Sequence, residues 1–280
     1  MPALINRELS LTIGTTLIQS RIVEGAAQPL LRTTFNIERT LKQDPNKATI
    51  VIYNLNLSHR TAFQEADIPC LLEVGYFGVV PSRIFSGGLD FGSNVQDGTD
   101  WITTLEASDG GKKFRSARIN KSKKGPISAG EVLRTAAEAL GYDAGNIEEK
   151  ITEGSVRKFT QYINGKVLSG KAEKVLDDVM KTLGYSWSVQ DDKLQVVAGL
   201  ETIGTTAQVI SSTTGMVGSP QAGEKGFINV RSLIQPNLLP GNKIEVESST
   251  VNGFYRIQKV VFSGDTHGQD WYADIEGQPL

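Results

Sequence analysis

Apolar and polar residues alternate along most of the first 110 positions, a pattern typical of strands that bury one face. Gly, Pro and Asp-Gly turn signals separate the alternating stretches. A short helix follows the strand that ends near Leu55, with Ser58 as its candidate N-cap. The predicted strands cover 9–18, 33–37, 48–55, 71–76, 83–92 and 101–108. The pattern therefore predicts a mainly antiparallel β domain over residues 1–110.

Helical spacing replaces the alternation after Gly110. Ser128 and Glu131 form a capping box, and apolar residues then recur every three or four positions up to Gly141. A second amphipathic helix is predicted to end at Gly184, and its segment KVLDDVMKTLGY matches EVLRTAAEALGY in the first. Together with the strand-like stretches KFTQYI, YSWSV and KLQVV, the two helices predict an α/β insertion over residues 111–198.

The last part of the chain returns to strand-like alternation. Gly, Ser and Thr dominate from Gly199 to Gly226, which would suit a flexible linker, but apolar anchors favour an ordered crossing loop with mobile ends. The anchors are Val209, Ile210, Met216 and Val217. From Phe227 onward the alternation resumes, and Asn252-Gly253 is the sharpest hairpin signal in the chain. This predicts a second β domain over residues 199–280. The expected fold class is therefore mainly β with an α/β insertion (α+β).

The second β region repeats the first in diverged form. LLEVGY, RIFSGGLDFGS, QDGTDW and TLEAS return as KIEVESS, RIQKVVFSGD, HGQDW and DIEGQ. Duplication within one chain converts an n-fold assembly into a pseudo-2n-fold one. Because both Trp residues fall on the repeat, both are predicted to anchor a β core. The alignment places Glu73 on Glu245, Arg83 on Arg256, Asp100 on Asp270, Trp101 on Trp271 and Glu106 on Glu276.

Composition adds little to this picture. The chain has 29 basic and 31 acidic residues, so its net charge of −2 gives no global argument for binding nucleic acid or membrane. Neither a signal-peptide pattern nor an 18-residue apolar window is present, which predicts synthesis in the cytosol. The single cysteine, Cys70, lies in the apolar run IPCLLEV, where a buried thiol is expected.

Residues suited to catalysis or metal binding are sparse. Asp265, His267 and Asp270 lie within six positions and could hold a cation, but a polar turn between two strands is the favoured interpretation. Neither a pair of carboxylates suited to hydrolysis nor a phosphate loop is recognisable. We therefore expect a non-enzymatic protein with no catalytic residue, no cofactor and no metal site.

One local concentration of charge stands out, in KKFRSARINKSKKG. This segment is either a patch that contacts an acidic partner or phosphates, or a solvated connector between domains. An acidic protein surface is the favoured partner, because Phe114 is the only aromatic residue there that could stack on bases. The seven cations are Lys112, Lys113, Arg115, Arg118, Lys121, Lys123 and Lys124.

Three stretches of the sequence carry a family resemblance. They are PNKATIVIYNLN with the helix after it, the strand FSGGLDFGS, and VRSLIQPNLLPGNKIEVES continued by NGFYRIQKVVFSGDTHGQDWYADIEG. They include a Pro240-Gly241 and an Asp270-Trp271 signature and span most of both β regions. The chain resembles the baseplate hub proteins of contractile and related phage tails, which include the T4-type hub and the Mu-type and P2-type tail proteins called protein D.

This resemblance implies two tube-like antiparallel β-barrel domains related by internal duplication, plus a small helical module. Three chains would form a homotrimeric ring of pseudo-sixfold symmetry, which joins a hexameric tail tube or tube-initiator protein to a trimeric spike protein. The helical module would contact the spike or other baseplate proteins, and DNA would pass through the lumen without specific binding. The resemblance places the protein in the virion, in the tail baseplate, after assembly in the host cytoplasm.

Three alternatives stay open. A tail tube or distal tail protein uses similar β domains but usually has one copy per chain, which the repeat opposes. The hub of a type VI or extracellular contractile injection system would share the fold. A tail-associated peptidoglycan hydrolase is a different class of protein, and it would need an acid pair that the sequence does not show.

Overall fold

A computed structural model of the protein describes residues 7–21, 31–76, 79–110, 116–143, 145–147, 150, 161–162, 165–191, 193–204, 206–235 and 237–280. The chain divides into two compact units. Unit 1 draws on 1–40, 46–109 and 202–280, and unit 2 draws on 41–45 and 110–201. Strands predominate in the described residues, which confirms the predicted mainly β class.

Unit 1 is built on one sheet of thirteen strands. The strands come from both ends of the chain, in two groups separated by unit 2. The first group is β1 (Arg7–Ile13), β2 (Thr16–Arg21), β3 (Thr33–Thr40), β4 (Lys47–Tyr53), β5 (Pro69–Tyr76), β6 (Ser82–Asp97) and β7 (Asp100–Ser108). The second group is β14 (Gln208–Ser211), β15 (Met216–Ala222), β16 (Ile228–Leu233), β17 (Lys243–Glu247), β18 (Asn252–Asp265) and β19 (Trp271–Pro279).

The sheet runs in the order β15-β16-β19-β18-β3-β4-β7-β6-β5-β1-β2, with β17 beside β18 and β14 beside β17. All neighbours are antiparallel except β14 and β17. β3 and β18 join the two groups of strands through seven residue pairs. Among the described residues the sheet does not close on itself, so the closed barrel expected for each β region is not found.

The two halves of the sheet share one strand order. The first half reads β3-β4-β7-β6-β5-β1, and the second reads β15-β16-β19-β18-β17-β14. The register agrees as well, because Glu106 and Glu276 each pair with the residue that follows a one-residue irregularity in the long partner strand, Phe91 in β6 and Lys259 in β18. The halves differ at β14, which is parallel to β17, whereas β1 is antiparallel to β5.

One part of the sequence alignment differs from the observed register. Arg83 pairs with Glu73 across β5 and β6, whereas Arg256 pairs with Lys243 and Gln278. The residues that correspond between the two halves are identified instead by a one-residue irregularity that each long hairpin contains. It lies just before the residue paired with Glu106 or Glu276, between Leu89 and Phe91 in β6 and between Ile257 and Lys259 in β18. The first half also has an extra residue in β6 at the step from Leu72 to Glu73, whereas β17 and β18 pair without a shift, and a sequence alignment does not reveal this difference.

The core of unit 1 buries Trp271, Phe85 and Phe262 completely or nearly so. Trp271 meets Phe35 edge to face, with ring centroids 5.3 Å apart. The expectation that both tryptophans anchor a core holds for Trp271 only. Trp101 is half-buried, and the Arg60 guanidinium lies 3.7 Å from its ring centroid.

Two local predictions for the second β region are wrong. The region 199–226 was expected to be a crossing loop, yet it contains β14 and β15, whose backbone groups find partners on β17 and β16. Asn252-Gly253 is not the turn of its hairpin. It opens β18 beside the turn at Ser248–Val251, and the Asn252 side chain accepts a hydrogen bond from the N–H of Ser248 at 2.9 Å.

The short helix α1 (Leu57–Ala62) begins two residues earlier than its predicted cap would allow. Asn56, not Ser58, is the N-cap, and its side-chain oxygen accepts a hydrogen bond from the N–H of His59 at 2.8 Å. The helix packs closely on β6, where a Cβ at Gly92 would overlap the carbonyl of Phe63. Gly92 is therefore needed for this approach.

Unit 2 has a separate core beneath two helices, α2 (Ala129–Leu140) and α3 (Ala172–Leu183). The predicted capping box is present, because the Ser128 hydroxyl accepts a hydrogen bond from the N–H of Glu131 at 3.2 Å. Both helices end at a glycine in the left-handed conformation, Gly141 and Gly184. The strands are β8 (Arg118–Lys123), β9 (Ile127–Ser128), β10 (Gln161–Tyr162), β11 (Lys166–Lys171), β12 (Tyr185–Gln190) and β13 (Lys193–Ala198).

The predicted YSWSV and KLQVV hairpin is present as β12 paired antiparallel with β13. Most of the predicted KFTQYI strand lies outside the described residues, apart from β10. In the described parts of the chain, the helices are all too short or too polar to cross a membrane.

Candidate assembly surfaces

The predicted basic patch lies in unit 2, and four of its seven cations can be placed. Lys112, Lys113 and Arg115 lie outside the described residues. Arg118, Lys121 and Lys123 are on β8, and Lys124 follows it directly. β8 pairs antiparallel with β11, which adds Lys166 and Lys171 to the same two-stranded ribbon.

Two of the patch lysines form ion pairs with helix α2. Lys123 Nζ lies 2.6 Å from Glu131 Oε1, and Lys121 Nζ lies 4.0 Å from Glu138 Oε2. The hydrogen bond from Lys123 and its charge lower the pKa of Glu131. The sequence alone suggested seven uncompensated cations, because the acids that neutralise two of them lie on a different element.

The opposite face of the ribbon is exposed. Strand alternation puts Arg118, Asn120 and Ser122 on one face of β8, while Ile119 is buried on the other. Across the ladder, Arg118 lies opposite Lys171, and Ser122 lies opposite Val167, which is 69% exposed. We name this surface the ribbon face. It carries two opposed cations and an exposed valine, and it has no acidic residue of β8 or β11.

Unit 1 presents a much larger exposed surface, on eight adjacent strands from β6 to β15. One row of directly opposed residues crosses seven of them, and none of its members is buried. The row is Phe91, Glu106, Thr49, Asn36, Ser263, Tyr272 and Leu233. We name this surface the outer face. Because side chains alternate along each strand, the residues between these positions fill the core on the other side.

The outer face carries two ion pairs. Arg231 forms a bidentate pair with Asp274, at 2.6 and 2.9 Å, and Lys259 Nζ lies 2.8 Å from Glu38 Oε2. Both Arg231 and Asp274 line an open groove of about 540 Å³ over β15, β16, β19 and β18. The alternation of the sequence indicates that these charged residues face outward. Which of them form ion pairs is known only from the order of the strands in the sheet.

The predicted alternative of a cation site at the β18–β19 turn is not supported by the contacts. The Asp265 carboxylate accepts hydrogen bonds from Arg32 at 2.7 Å and from the N–H of His267 at 2.9 Å. Arg7 donates to four main-chain carbonyls of the same turn, including Gln269 O at 2.7 Å. No cluster of three or more metal-ligating side chains occurs among the residues that the structure describes. The turn is thus fixed by arginines from the first β region.

Solved structures with the same fold are tail proteins and a secretion-system protein. The 43 kDa tail protein of prophage MuSo2 from Shewanella oneidensis has a TM-score of 0.66 at 9% identity, with 98% of each chain covered. The tail protein from Neisseria meningitidis MC58 has a TM-score of 0.62 at 8% identity, covering 97% of this chain and 96% of that one. A search of the curated proteins found no match.

The E. coli c3393 protein, a component of the type VI secretion system with structural similarity to T4 tail proteins, has a TM-score of 0.56 at 10% identity. The match covers 96% of this chain and 76% of that protein. At such low identity these likenesses show the fold, which is that of tail proteins of phages and related systems.

The family model described as baseplate hub gp41 matches residues 22–277. The chain therefore belongs to the baseplate hub gp41 family, which confirms the resemblance noted in the sequence. It is a structural component of a phage tail.

Proposed function

We propose that the protein is the trimeric hub of a phage tail baseplate, a ring of pseudo-sixfold symmetry between the hexameric tail tube and the trimeric spike. The observation that carries this proposal is the repeated strand order of unit 1. Four strands of the first half, β3-β4-β7-β6, and four of the second, β15-β16-β19-β18, lie side by side and share the outer face. Three chains would present six such four-stranded sheets.

Internal duplication is the proposed origin of this arrangement. Strand order and register agree between the halves, and Glu106 and Glu276 occupy equivalent places. A ring of three chains must meet a sixfold tube on one side and a threefold spike on the other. Two similar sheets per chain resolve that mismatch without a second protein.

The outer face lies on the side of the sheet away from the core of unit 1. It is suited to line a passage for DNA without binding the DNA. Two of its cations, Arg231 and Lys259, are paired with Asp274 and Glu38. Attraction of a protein for DNA depends on cations that can replace the counterions of phosphates. Paired cations beside carboxylates offer little such attraction, so we propose that this face lines the passage.

Unit 2 is proposed to contact the spike or other baseplate proteins, through the ribbon face. The ribbon carries Arg118 and Lys171 opposite each other without an acidic residue on that face. An acidic partner surface would complement it. We further propose that the protein is assembled in the host cytoplasm and then resides in the virion.

The test is the mass and shape of the purified protein. Light scattering should give three times the chain mass of 30.3 kDa, and negative-stain images should show a ring with six similar lobes around a hole. A monomer at every concentration tested would contradict the ring. A ring with six chains would instead favour a tail tube protein.

A further inference from the structure

Two pairs of cations face each other across the ribbon of unit 2, and the described residues supply a carboxylate to one of them. Lys123 lies opposite Lys166, and Glu131 Oε1 lies 2.6 Å from Lys123 Nζ. Arg118 lies opposite Lys171 on the ribbon face, and neither side chain has a hydrogen-bond or ion-pair partner in the described part of the chain. Like charges directly opposite each other destabilise an antiparallel pair. The second pair is therefore suited to receive a carboxylate from another molecule.

The ribbon face also holds an exposed apolar side chain. Val167 is 69% exposed and lies opposite Ser122. It is on the same strand and the same face as Lys171, with Ser169 between them. Four residues of extended chain separate the cation from the apolar side chain, a distance of about 13 Å. A ligand that contacts both must therefore be elongated.

The main chain of the same residues is turned towards the edges of the ribbon. The N–H of Ala172 donates to the carbonyl of Ala117 at 3.0 Å, which makes these two a hydrogen-bonded pair of the antiparallel ladder. Such pairs alternate with non-hydrogen-bonded ones, so the next pair, Arg118 with Lys171, is of the second kind. The N–H and C=O groups of every second residue of β11, from Lys171 back to Val167, therefore point outward and away from β8.

This outer edge of β11 has no backbone partner among the residues that the structure describes. Lys171, Ser169 and Val167 are all exposed. Gly170 lies among them with a φ of +118°, which suits glycine, and the space around its Cβ position is open. Because a free strand edge is a template for pairing with another chain, this edge offers main-chain bonds to an added strand.

We propose that β11 accepts an extended segment of another baseplate protein as a third strand of the ribbon. The segment places the carboxylate of an aspartate or glutamate beside Lys171 and within reach of Arg118. Its residue four positions away is apolar and covers Val167. Main-chain hydrogen bonds supply affinity, and the alternate side chains supply specificity. This proposal rests on the proposed contact of unit 2 with neighbouring proteins and specifies the chemistry of that contact.

Two other occupants fit this edge less well. A second copy of the ribbon would bring Lys171 against further cations, and neither β8 nor β11 has an acidic residue to neutralise them. Nucleic acid would leave Val167 without an apolar contact, and neither strand has an aromatic side chain on which a base could stack. An acidic protein strand satisfies the charges, the valine and the main chain together.

Hydrogen exchange tests whether a strand is added. Exchange of single amides would be measured by mass spectrometry with electron-transfer fragmentation, in the purified protein and in intact tails. We expect the amides of Val167, Ser169 and Lys171 to exchange about tenfold more slowly or less in tails, because each is then hydrogen-bonded to the partner strand. Unchanged exchange at all three would overturn the proposal.

The amides of the other edge are the internal control. Asn120 lies directly opposite Ser169, and its N–H points to the outer edge of β8. It should exchange at the same rate in both samples, as should Arg118 and Ser122. Equal protection of both edges in tails would mean that the ribbon is buried as a whole, and protection already present in the purified protein would mean that the chain covers its own edge. Either result contradicts strand addition to β11.

Zero-length cross-linking tests the chemistry of the partner. A carbodiimide joins an amine directly to a carboxylate without a spacer. In intact tails we expect Lys171 to be joined to an aspartate or glutamate of another protein, with an apolar residue four positions from it. Lys123 and Glu131 are the internal control, because their 2.6 Å contact should give a link within the chain. If that link forms and Lys171 stays unlinked, the partner is not an acidic strand.

A matched pair of proline variants tests the contact in the assembled phage. Ser169→Pro removes an N–H that points outward, so the ladder between β8 and β11 keeps its bonds. We expect loss of infectious particles when this variant complements a hub-deficient phage. Asn120→Pro makes the same change on the opposite strand and should support normal infection, and circular dichroism would check that both variants are folded. Normal infection with both variants would mean that β11 does not receive a strand.

These outcomes are separable from those of the proposed ring. If light scattering shows a trimer but the β11 amides are not protected in tails, the ring stands and the strand addition is wrong. If the purified protein is a monomer at every concentration and the β11 amides are still protected in tails, the ring is wrong and the strand addition stands.

Discussion

Arg32 Nη2 and Asp265 Oδ2 lie 2.7 Å apart, and Arg32 Nε donates a second hydrogen bond to the same oxygen at 3.2 Å. The pair links the segment before β3 to the end of β18, the two strands that join the halves of the sheet. The N–H of Thr266 also donates to the carbonyl of Thr33 at 3.0 Å. The joint within the chain is therefore reinforced by side-chain and main-chain bonds at one end.

This ion pair predicts a specific dependence of stability on pH. Burial alone would raise the pKa of Asp265, but hydrogen bonds from Arg32 and from the N–H of His267 outweigh it and lower the pKa. A carboxyl whose pKa is lower in the folded state stabilises the fold above its unfolded pKa of about 3.9. That contribution is lost as the pH falls through the folded-state pKa.

We expect Asp265→Asn to lower the free energy of unfolding by about 1 kcal/mol at pH 7, because Arg32 is 46% exposed and solvent screens the pair. Urea titrations at pH 7 and near pH 2.5 would measure this, and the difference from the native protein should shrink at the lower pH. Asp178→Asn, on the exposed side of α3, serves as the control. An equal loss at both pH values would mean that the charge of Asp265 is not what stabilises the turn.

Gly264 lies where β18 crosses two aromatic rings. A Cβ there would overlap the Phe35 ring and lie 2.9 Å from Trp271 Cε3. Because these rings are buried and packed on each other, they have little room to move. We expect Gly264→Ala to lower the free energy of unfolding by about 1–3 kcal/mol, the usual cost of overpacking a core.

Gly88→Ala is the matched control for this substitution. Gly88 is also in a long strand of unit 1, but the nearest atom to its Cβ position is 3.9 Å away. Urea unfolding followed by Trp fluorescence would compare the two variants. If the two variants have the same free energy of unfolding, Phe35 and Trp271 leave enough room for a Cβ at Gly264, and the prediction is wrong.

The ribbon face predicts which basic residues matter for assembly. Arg118→Glu/Lys171→Glu reverses two opposed cations whose side chains point away from helix α2, so the fold should be retained. We expect this variant to fail to restore infectious particles in a complementation assay with a hub-deficient phage. Circular dichroism of the purified variant would check that it is folded.

Lys174→Glu/Lys193→Glu provides the charge-matched control, because it makes the same change in net charge at other positions of unit 2. It should support normal infection. The same result from Arg118→Glu/Lys171→Glu would identify the basic segment as a solvated connector. Reversal at Lys123 is a poorer test, because it would place two carboxylates together where Lys123 now contacts Glu131.

Strand and helix content could be predicted from local patterns. Alternation identified the strands that carry Thr49 and Glu106, and the capping box at Ser128 identified the start of α2, because each depends on neighbours within a few residues. The same patterns failed for β14 and β15. Their Gly-, Ser- and Thr-rich sequence forms strands only because β17 and β16 supply hydrogen-bond partners from elsewhere in the chain.

By itself the sequence determined the mainly β class, the paired helices of the insertion, the family and the existence of a repeated β pattern. Only the tertiary structure decided that both β regions join in one sheet through β3 and β18, that Trp271 is buried while Trp101 is not, and that Glu131 neutralises Lys123. The reason is physical. Burial and ion pairing depend on which distant segments become neighbours, whereas periodicity and capping depend on residues a few positions apart.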